Sequence, residues 1–234
     1  MKSFSPGGLA AVFGSAGAIG GAVAEALEQS GAFSQVLRFS RSSTPPLDLA
    51  DEASVAACAA AIRETGLPLR LAFDATGFLH GKGFMPEKGL RDIDPAHMAH
   101  AFAVNAIGPA LLMKHVLPLL APGSRSVFAT LSARVGSISD NRLGGWHSYR
   151  ASKAALNQLV RTASIELARK HPQAICVALH PGTVESGLSA PFSKSGLDVR
   201  PPEEAARDLL AVLDALGSGA NGGFFDHHGK PVEW

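Results

Sequence analysis

The chain has 234 residues, of which 46% are hydrophobic, 18% charged and 6% aromatic, with a formal net charge of +1. That balance suits one large α/β domain with a sizeable core, and the near-neutral charge, with no Lys/Arg-rich run and few aromatics, sets aside a nucleic-acid partner. Cys58 and Cys176 stand singly in apolar runs, outside any CxxC or CxxH spacing, which predicts reduced core residues of a cytoplasmic protein rather than a disulfide framework.

From the N-terminus, residues 6–24 carry no charge, a composition shared with leaders and membrane spans. Gly7, Gly8, Gly14, Gly17, Gly20 and Gly21 interrupt it, so it reads instead as a buried strand turning into a helix. The predicted elements then alternate. Strand Leu9–Phe13 leads to a helix over 19–29, strand Gln35–Phe39 to a helix over 53–63, and strand Leu69–Asp74 to a helix over Pro95–Leu119. Strand Ser126–Leu131 is followed by a helix over His147–Lys170, and strand Ala174–His180 by a helix over 202–216 and a last short strand at 223–226. The first five strands are nearly continuous in apolar residues, as strands buried on both faces are. This alternation predicts a single Rossmann-type domain over 1–234, an α/β fold with a doubly wound parallel sheet and helices on both faces. In such a fold, ligands bind beyond the carboxyl ends of the strands, where the strand order reverses.

The turn after the first strand, "FGSAGAIGGAVAEAL", spaces Gly14, Gly17 and Gly20 ahead of a helix. Glycines there permit a tight turn and let the backbone approach a pyrophosphate, while the helix N-terminus supplies N–H donors and a positive dipole end. Helix–sheet packing is the plainer use of the same small residues. Asn105 interrupts an apolar helical pattern, "FAVNAIGPALL", where an asparagine is locally unfavourable unless its side chain finds a partner. Tyr149, the only tyrosine in the chain, opens the helix "SYRASKAALNQLV", with Lys153 four residues on. At that spacing the two side chains share a face. They are either a chance surface pair, or the ammonium lowers the phenol from its usual pKa of about 10 and makes it a working acid–base group near neutral pH.

These glycines, Asn105 and the Tyr149–Lys153 pair occur together with "PEKGLRDIDP", "NAIGPALL", "SARVGSISDNRLGGWHSYRASKAALN" and "HPGTV". On them the chain resembles the short-chain dehydrogenase/reductase family over essentially its whole length, and within it the C-factor-like carbonyl reductase branch. The resemblance implies hydride transfer between a nicotinamide cofactor and a carbonyl or secondary alcohol. It makes Tyr149 the acid–base group and gives Lys153 two tasks, assisting the phenol and binding the nicotinamide ribose. It gives Asn105 a water that relays protons to Lys153. Cofactor contacts carry over to Gly14, Ser15, Gly17, Ile19 and Gly20, to Asp48 and Leu49 at the adenine, to Asn105, Tyr149 and Lys153, and to Pro181 and Val184 at the carboxamide. In "DATG", Asp74 and Thr76 depart from the family's usual asparagine-rich turn, so only backbone roles carry over, to Ala75 and Gly77. Ser40 and Arg41 stand where NAD-binding chains place an acidic residue, and an arginine there pairs with the 2′-phosphate of NADP. NADP is therefore expected over NAD.

One departure concerns the residue that polarises the carbonyl. The family pattern is Ser-Ser-x-x-Gly, but "LSARVG" sets Ala133 at the place of the catalytic serine. Ser132 is expected to donate to the carbonyl oxygen instead, with Ser137 as the alternative. Residues 185–200, rich in Gly, Ser and Pro, read as a mobile lid over a small-molecule carbonyl or alcohol. No membrane partner is expected. A homodimer or homotetramer is expected through 95–119 and 147–170, where Leu111, Leu112, Leu156 and Leu159 exceed one buried stripe. His97 with His100, and His227 with His228, lack a matching carboxylate or cysteine cluster, so no metal is expected. Two other classes stay open. One is a dinucleotide-binding signalling or sensing protein of the same fold with dispensable catalysis. The other is a nucleotide-sugar epimerase or dehydratase, although these usually carry a substantial C-terminal substrate domain, and nothing of that size remains after Val184.

Overall fold

The computed structural model describes residues 1–192 and 199–234. Its strands, in chain order, are β1 (Leu9–Phe13), β2 (Gln35–Phe39), β3 (Leu69–Asp74), β4 (Ser126–Leu131), β5 (Ala174–His180), β6 (Thr183–Val184), β7 (Val199–Arg200) and β8 (Phe224–Asp226). Six of them form one sheet in the order β2-β1-β3-β4-β5-β8, every neighbouring pair parallel. The helices are α1 (Ala18–Ser30), α2 (Glu52–Glu64), α3 (Pro95–Phe102), α4 (Gly108–Val116), α5 (His147–Lys170) and α6 (Pro202–Ala215).

Side chains alternate across a strand, and the two faces of the sheet build separate cores. Leu9, Ala11 and Phe13 pack with Val55 and Ile62 of α2, Leu112 of α4 and Leu156 of α5. Ala10 and Val12 face the other way, onto Val23 and Leu27 of α1 and Leu209 and Leu213 of α6. The strand order reverses between β1 and β3, so the crevice of the fold opens at their carboxyl ends, at Gly14 and Ala75. The predicted alternation is thus the observed one, and helix ends obey local chemistry. Asp51 accepts from Ala53 N at the start of α2, and Asp94 accepts from His97 N ahead of Pro95 at the start of α3, where such caps satisfy free N–H groups.

Two readings of the sequence need correction. β2 is not buried on both faces: it is an edge strand, and Gln35 and Arg38 are exposed. Residues 95–119 are not one regular α-helix, because five residues, Ala103–Ile107, form a π-turn between α3 and α4. That stretch is long and apolar enough to cross a membrane by length and composition; here it buries Leu112, Met113 and Val116 against the sheet. The expected lid over 185–200 falls partly on 193–198, outside the described residues. Of the remainder, Ala190–Phe192 makes a 3₁₀ turn and Val199–Arg200 pairs with β6. Cys58 and Cys176 are free and buried.

Candidate active site

The site begins at the turn after β1. Gly14 takes φ +82° and, with Ser15, donates its N–H to Phe39 O at 2.8 and 3.0 Å, tying the turn to the end of β2. A left-handed φ is cheap only for glycine. A Cβ built on Gly20 would lie 2.3 Å from Gly14 O, so α1 packs on the turn with no room for a side chain. Gly17 caps α1 without a side-chain bond, and the first turn of α1 holds no acidic residue. The result is an open helix N-terminus with donors facing out and nothing to repel phosphate. These residues fit a dinucleotide. Ser40 and the exposed Arg41 come directly after β2. Arg38 is paired with Glu28 at 2.6 Å, whereas Arg41 makes no ion pair among the described residues. Asp48 is exposed and accepts from Ala50 N. Leu49 is buried in the core, where a Cβ on Gly108 would meet its Cβ at 2.6 Å.

At the carboxyl end of β3 the polar centre assembles. Ala75 N donates to Phe13 O at 2.9 Å. A Cβ on Gly77 would stand 3.7 Å from both Asn105 Oδ1 and Lys153 Nζ, so these two groups flank the turn. Asn105 is fully buried in the π-turn, and its amide clamps Phe78, accepting from Phe78 N at 2.7 Å and donating to Phe78 O at 2.8 Å. It also donates to Ser152 Oγ at 3.1 Å. The asparagine thus finds in tertiary contacts the partners that a helix interior denies it. Lys153 Nζ donates to Leu131 O at 2.8 Å and lies 5.9 Å from the centre of the Tyr149 ring. Gly136 packs on the same lysine: a Cβ there would lie 2.8 Å from Lys153 Cβ.

The electrostatics depart from expectation. Burial pushes the Tyr149 phenol up to about 12, rather than down, because a phenolate is the form that desolvation disfavours. Burial pulls Lys153 down to about 8, opposed by the negative charge of Asp74. Asp74, whose side chain was given no role from the sequence, is fully buried. It accepts from Thr76 N and Oγ1 and from Thr130 Oγ1, at 3.0, 2.6 and 2.7 Å. It therefore ties the "DATG" turn to β4. Burial raises its carboxyl above the ordinary range despite those bonds.

A cleft of about 520 Å³ opens over this centre, lined by Ile19, Ser132, Ala133, Tyr149, Pro181 and Val184 among others. Its outer walls include Leu79, Val135, Leu143, Trp146, Leu188 and Phe192. Trp146 and Phe192 meet edge to face at 5.1 Å. His180 is also in the wall, and burial pulls it down to about 4, so it is neutral at neutral pH. Ser132 reaches the cleft, but its hydroxyl donates to Asn157 Oδ1 at 2.7 Å. Ser137 lies under its own loop, accepting from Asp140 N at 3.2 Å.

Besides Asp74, two more side chains at the site escaped the sequence reading. Asn157 continues the Tyr149–Lys153 stripe by one more turn, a signal that was present in the spacing. Glu87, 2% exposed, accepts from Ser148 N at 3.2–3.3 Å and from Ser148 Oγ, while its own carbonyl accepts from Trp146 N at 2.6 Å. It supplies the cap that α5 lacks, since Trp146 at the cap position is left-handed and has no side-chain bond. Burial pushes the Glu87 carboxyl up, but the Ser148 bonds and nearby His97 outweigh it and leave the group below its ordinary value. His97 and His100 stack around Phe78 and Phe84, and His227 lies against His228. No group of three metal-ligating residues occurs among the described residues.

Comparison with known proteins bears on this geometry. A family profile described as enoyl-(acyl carrier protein) reductase matches residues 14–200. The chain is 38% identical over 146 residues to C-signal of Myxococcus xanthus, covering 62% of this chain and 83% of that protein. It is 32% identical over 190 residues to 1-hydroxy-2-glutathionyl-2-methyl-3-butene dehydrogenase of Rhodococcus sp. (strain AD45), covering 81% and 79%. Among solved structures, an NADPH-bound carbonyl reductase from chicken fatty liver superposes with a TM-score of 0.84 at 25% identity, over 98% of this chain and 95% of that one. The glycine turn at the strand-order reversal, the Tyr149–Lys153 helix and these matches agree: the chain belongs to the short-chain dehydrogenase/reductase family of oxidoreductases, in its C-factor-like branch.

Proposed function

We propose that the protein is an NADP-dependent carbonyl reductase, with Tyr149 as the proton donor. The observation that carries this reading is the convergence on one cleft of Tyr149, Ser132, Pro181 and Val184, with Lys153 behind them and the Gly14–Gly20 cradle beside them. Gly14, Ser15, Gly17, Ile19 and Gly20 would hold the cofactor pyrophosphate and its surroundings, and Ser40 and Arg41 the 2′-phosphate. Asp48, Leu49, Ala75 and Gly77 would bound its adenosine half, and Asn105, Tyr149, Lys153, Pro181 and Val184 its nicotinamide half. When bound, the reduced nicotinamide supplies hydride to the carbonyl carbon.

The remaining chemistry belongs to the chain. As negative charge grows on the carbonyl oxygen, Tyr149 gives it a proton, and a phenol held neutral by burial is always loaded for that step. Lys153, with a pKa of about 8, exchanges protons near neutrality and stabilises the phenolate left behind. Asn105 lies next in line beyond Lys153, where a bound water would pass the replacement proton inward. The neutral phenol is the form that gives a proton, so the resting protonation state of Tyr149 is the one that reduction of a carbonyl uses. Titration with NADPH and NADH and then a carbonyl panel with NADPH tests the reading; no turnover on any carbonyl would overturn it.

Cofactor choice has its own test. Arg41→Ala is expected to weaken NADPH binding roughly ten- to a hundred-fold, the value of one charge-assisted contact of ~1.5–3 kcal/mol, with NADH little changed. Equal weakening of both cofactors, measured by fluorescence titration, would remove Arg41 from the 2′-phosphate.

The similarity to a protein named C-signal supports a second reading, a dinucleotide-binding signalling protein whose catalysis is dispensable. The retained Tyr149, Lys153 and Asn105 speak for the enzyme, and turnover separates the two. We also propose a cytoplasmic homodimer or homotetramer. Leu112 and Leu156 are fully buried in the core, but Leu111 and Leu159 are only partly covered. An apolar groove of about 650 Å³ runs between α4 and α5 past Met113, Leu117 and Leu159. Light scattering at micromolar concentration is expected to give at least twice the monomer mass; a monomeric mass would refute the assembly.

A further inference from the structure

We infer that Asn157 is a positioning residue that turns the Ser132 hydroxyl proton toward the substrate carbonyl, an inference that rests on the carbonyl-reducing reading. Ser132 lines the cleft and is 4% exposed, and Asn157 is 3% exposed beneath it. Their contact at 2.7 Å has Ser132 Oγ donating to Asn157 Oδ1. A hydroxyl carries a single proton, so in this arrangement Ser132 has none for a substrate oxygen. Meanwhile Asn157 Nδ2 is buried with no hydrogen-bond partner among the described residues, and an unpaired buried donor is costly.

One rotation resolves both facts. Turning the Asn157 amide by half a turn about Cβ–Cγ brings Nδ2 to Ser132 Oγ, which then accepts. The serine proton is freed to point into the cleft. With a carbonyl present, the count of hydrogen bonds in the chain rises from one to two. The group left without a partner becomes an oxygen rather than an N–H, and proteins tolerate an under-satisfied acceptor better. The run amide to hydroxyl to carbonyl is polarised in one sense, which strengthens its last bond. Asn157 stands four residues beyond Lys153 and eight beyond Tyr149 on α5, on the same helix face. One helix therefore carries the proton donor, the ammonium beside it and the amide that orients the serine.

The test is a double-mutant cycle on purified protein with NADPH and a carbonyl that the wild type reduces. Ser132→Ala is expected to lower kcat about a hundred-fold. Asn157→Leu, near in size and without a donor to strand, is expected to lower kcat about ten-fold. Its NADPH dissociation constant and melting temperature should stay near wild type. In the Ser132→Ala background, Asn157→Leu should cause no further loss, because the residue acts only through the serine. If Asn157→Leu does not fold, Asn157→Ala serves in the same cycle. Wild-type kcat in the Asn157 variant overturns the proposal, as does an equal further loss in the Ser132→Ala background. So does a drop in NADPH affinity that accounts for the effect. Tyr149→Phe runs alongside as the control on the underlying reading: activity retained there overturns that reading, whereas failure of the cycle with Tyr149→Phe inactive overturns the role of Asn157 alone.

Discussion

Tyr149→Phe is expected to lower turnover of any accepted carbonyl by about 10²- to 10⁴-fold, the range contributed by a positioned acid–base group, while leaving NADPH binding within a few-fold of wild type. The substitution removes one oxygen from a ring that packs edge to face with Trp146 at 6.2 Å, so the fold should hold. Because Tyr149 is the only tyrosine, its ionisation can be followed directly by phenolate absorbance with no background from others. The native protein should titrate well above the ordinary value of about 10, toward the value of about 12 that burial sets. A midpoint at or below 10 in the folded protein without cofactor would show that Lys153 already stabilises the phenolate. The proton donor would then not be held loaded by burial.

Lys153→Met should be comparably damaging to turnover and should also change how stability responds to pH. Lys153 is buried and its folded pKa, about 8, lies below its ordinary value of 10.5. The unfolded chain therefore binds more protons than the folded one between about pH 8 and 10.5. Stability contributed by this group rises with pH through that window and is at its lowest below it. Other buried groups act the opposite way. Cys58, pushed up to about 11, and Cys176, pushed up to about 12, lose stability as pH climbs past their ordinary value of 9.0, and Tyr149 does so above 10.0. The difference between wild type and variant isolates the lysine. The gap in melting temperature should shift in favour of wild type as pH rises from 7 to 10. A gap that stays constant over that range would mean that Lys153 is not strained by burial.

The strands and the helix carrying the acid–base pair were legible in the chain alone because both are written in local periodicity. β1, β3, β4 and β5 are nearly continuous in apolar residues since helices cover both faces of the sheet. Tyr149 and Lys153 are readable because a helix puts every fourth residue on one face, and Asn157 was there to be read by the same rule. The glycine turn was legible because Gly14, Gly17 and Gly20 follow a first strand in an alternating chain, a place where both close packing and a phosphate-binding turn call for glycine. Other features depend on elements far apart in sequence. Gln35 and Arg38 are exposed because β2 is the edge strand among the described residues, where the covering helices give way to solvent, and edge position is a property of strand order. Glu87 caps α5 from 61 residues away, through Ser148. The direction of the Tyr149 and Lys153 shifts is set by how much protein surrounds them, a sum over β3, β4, α5 and the turn at Gly77. Spacing on a helix fixes which side chains are neighbours. Only tertiary packing fixes how much water is left between them, and that decides which member of the pair keeps its proton.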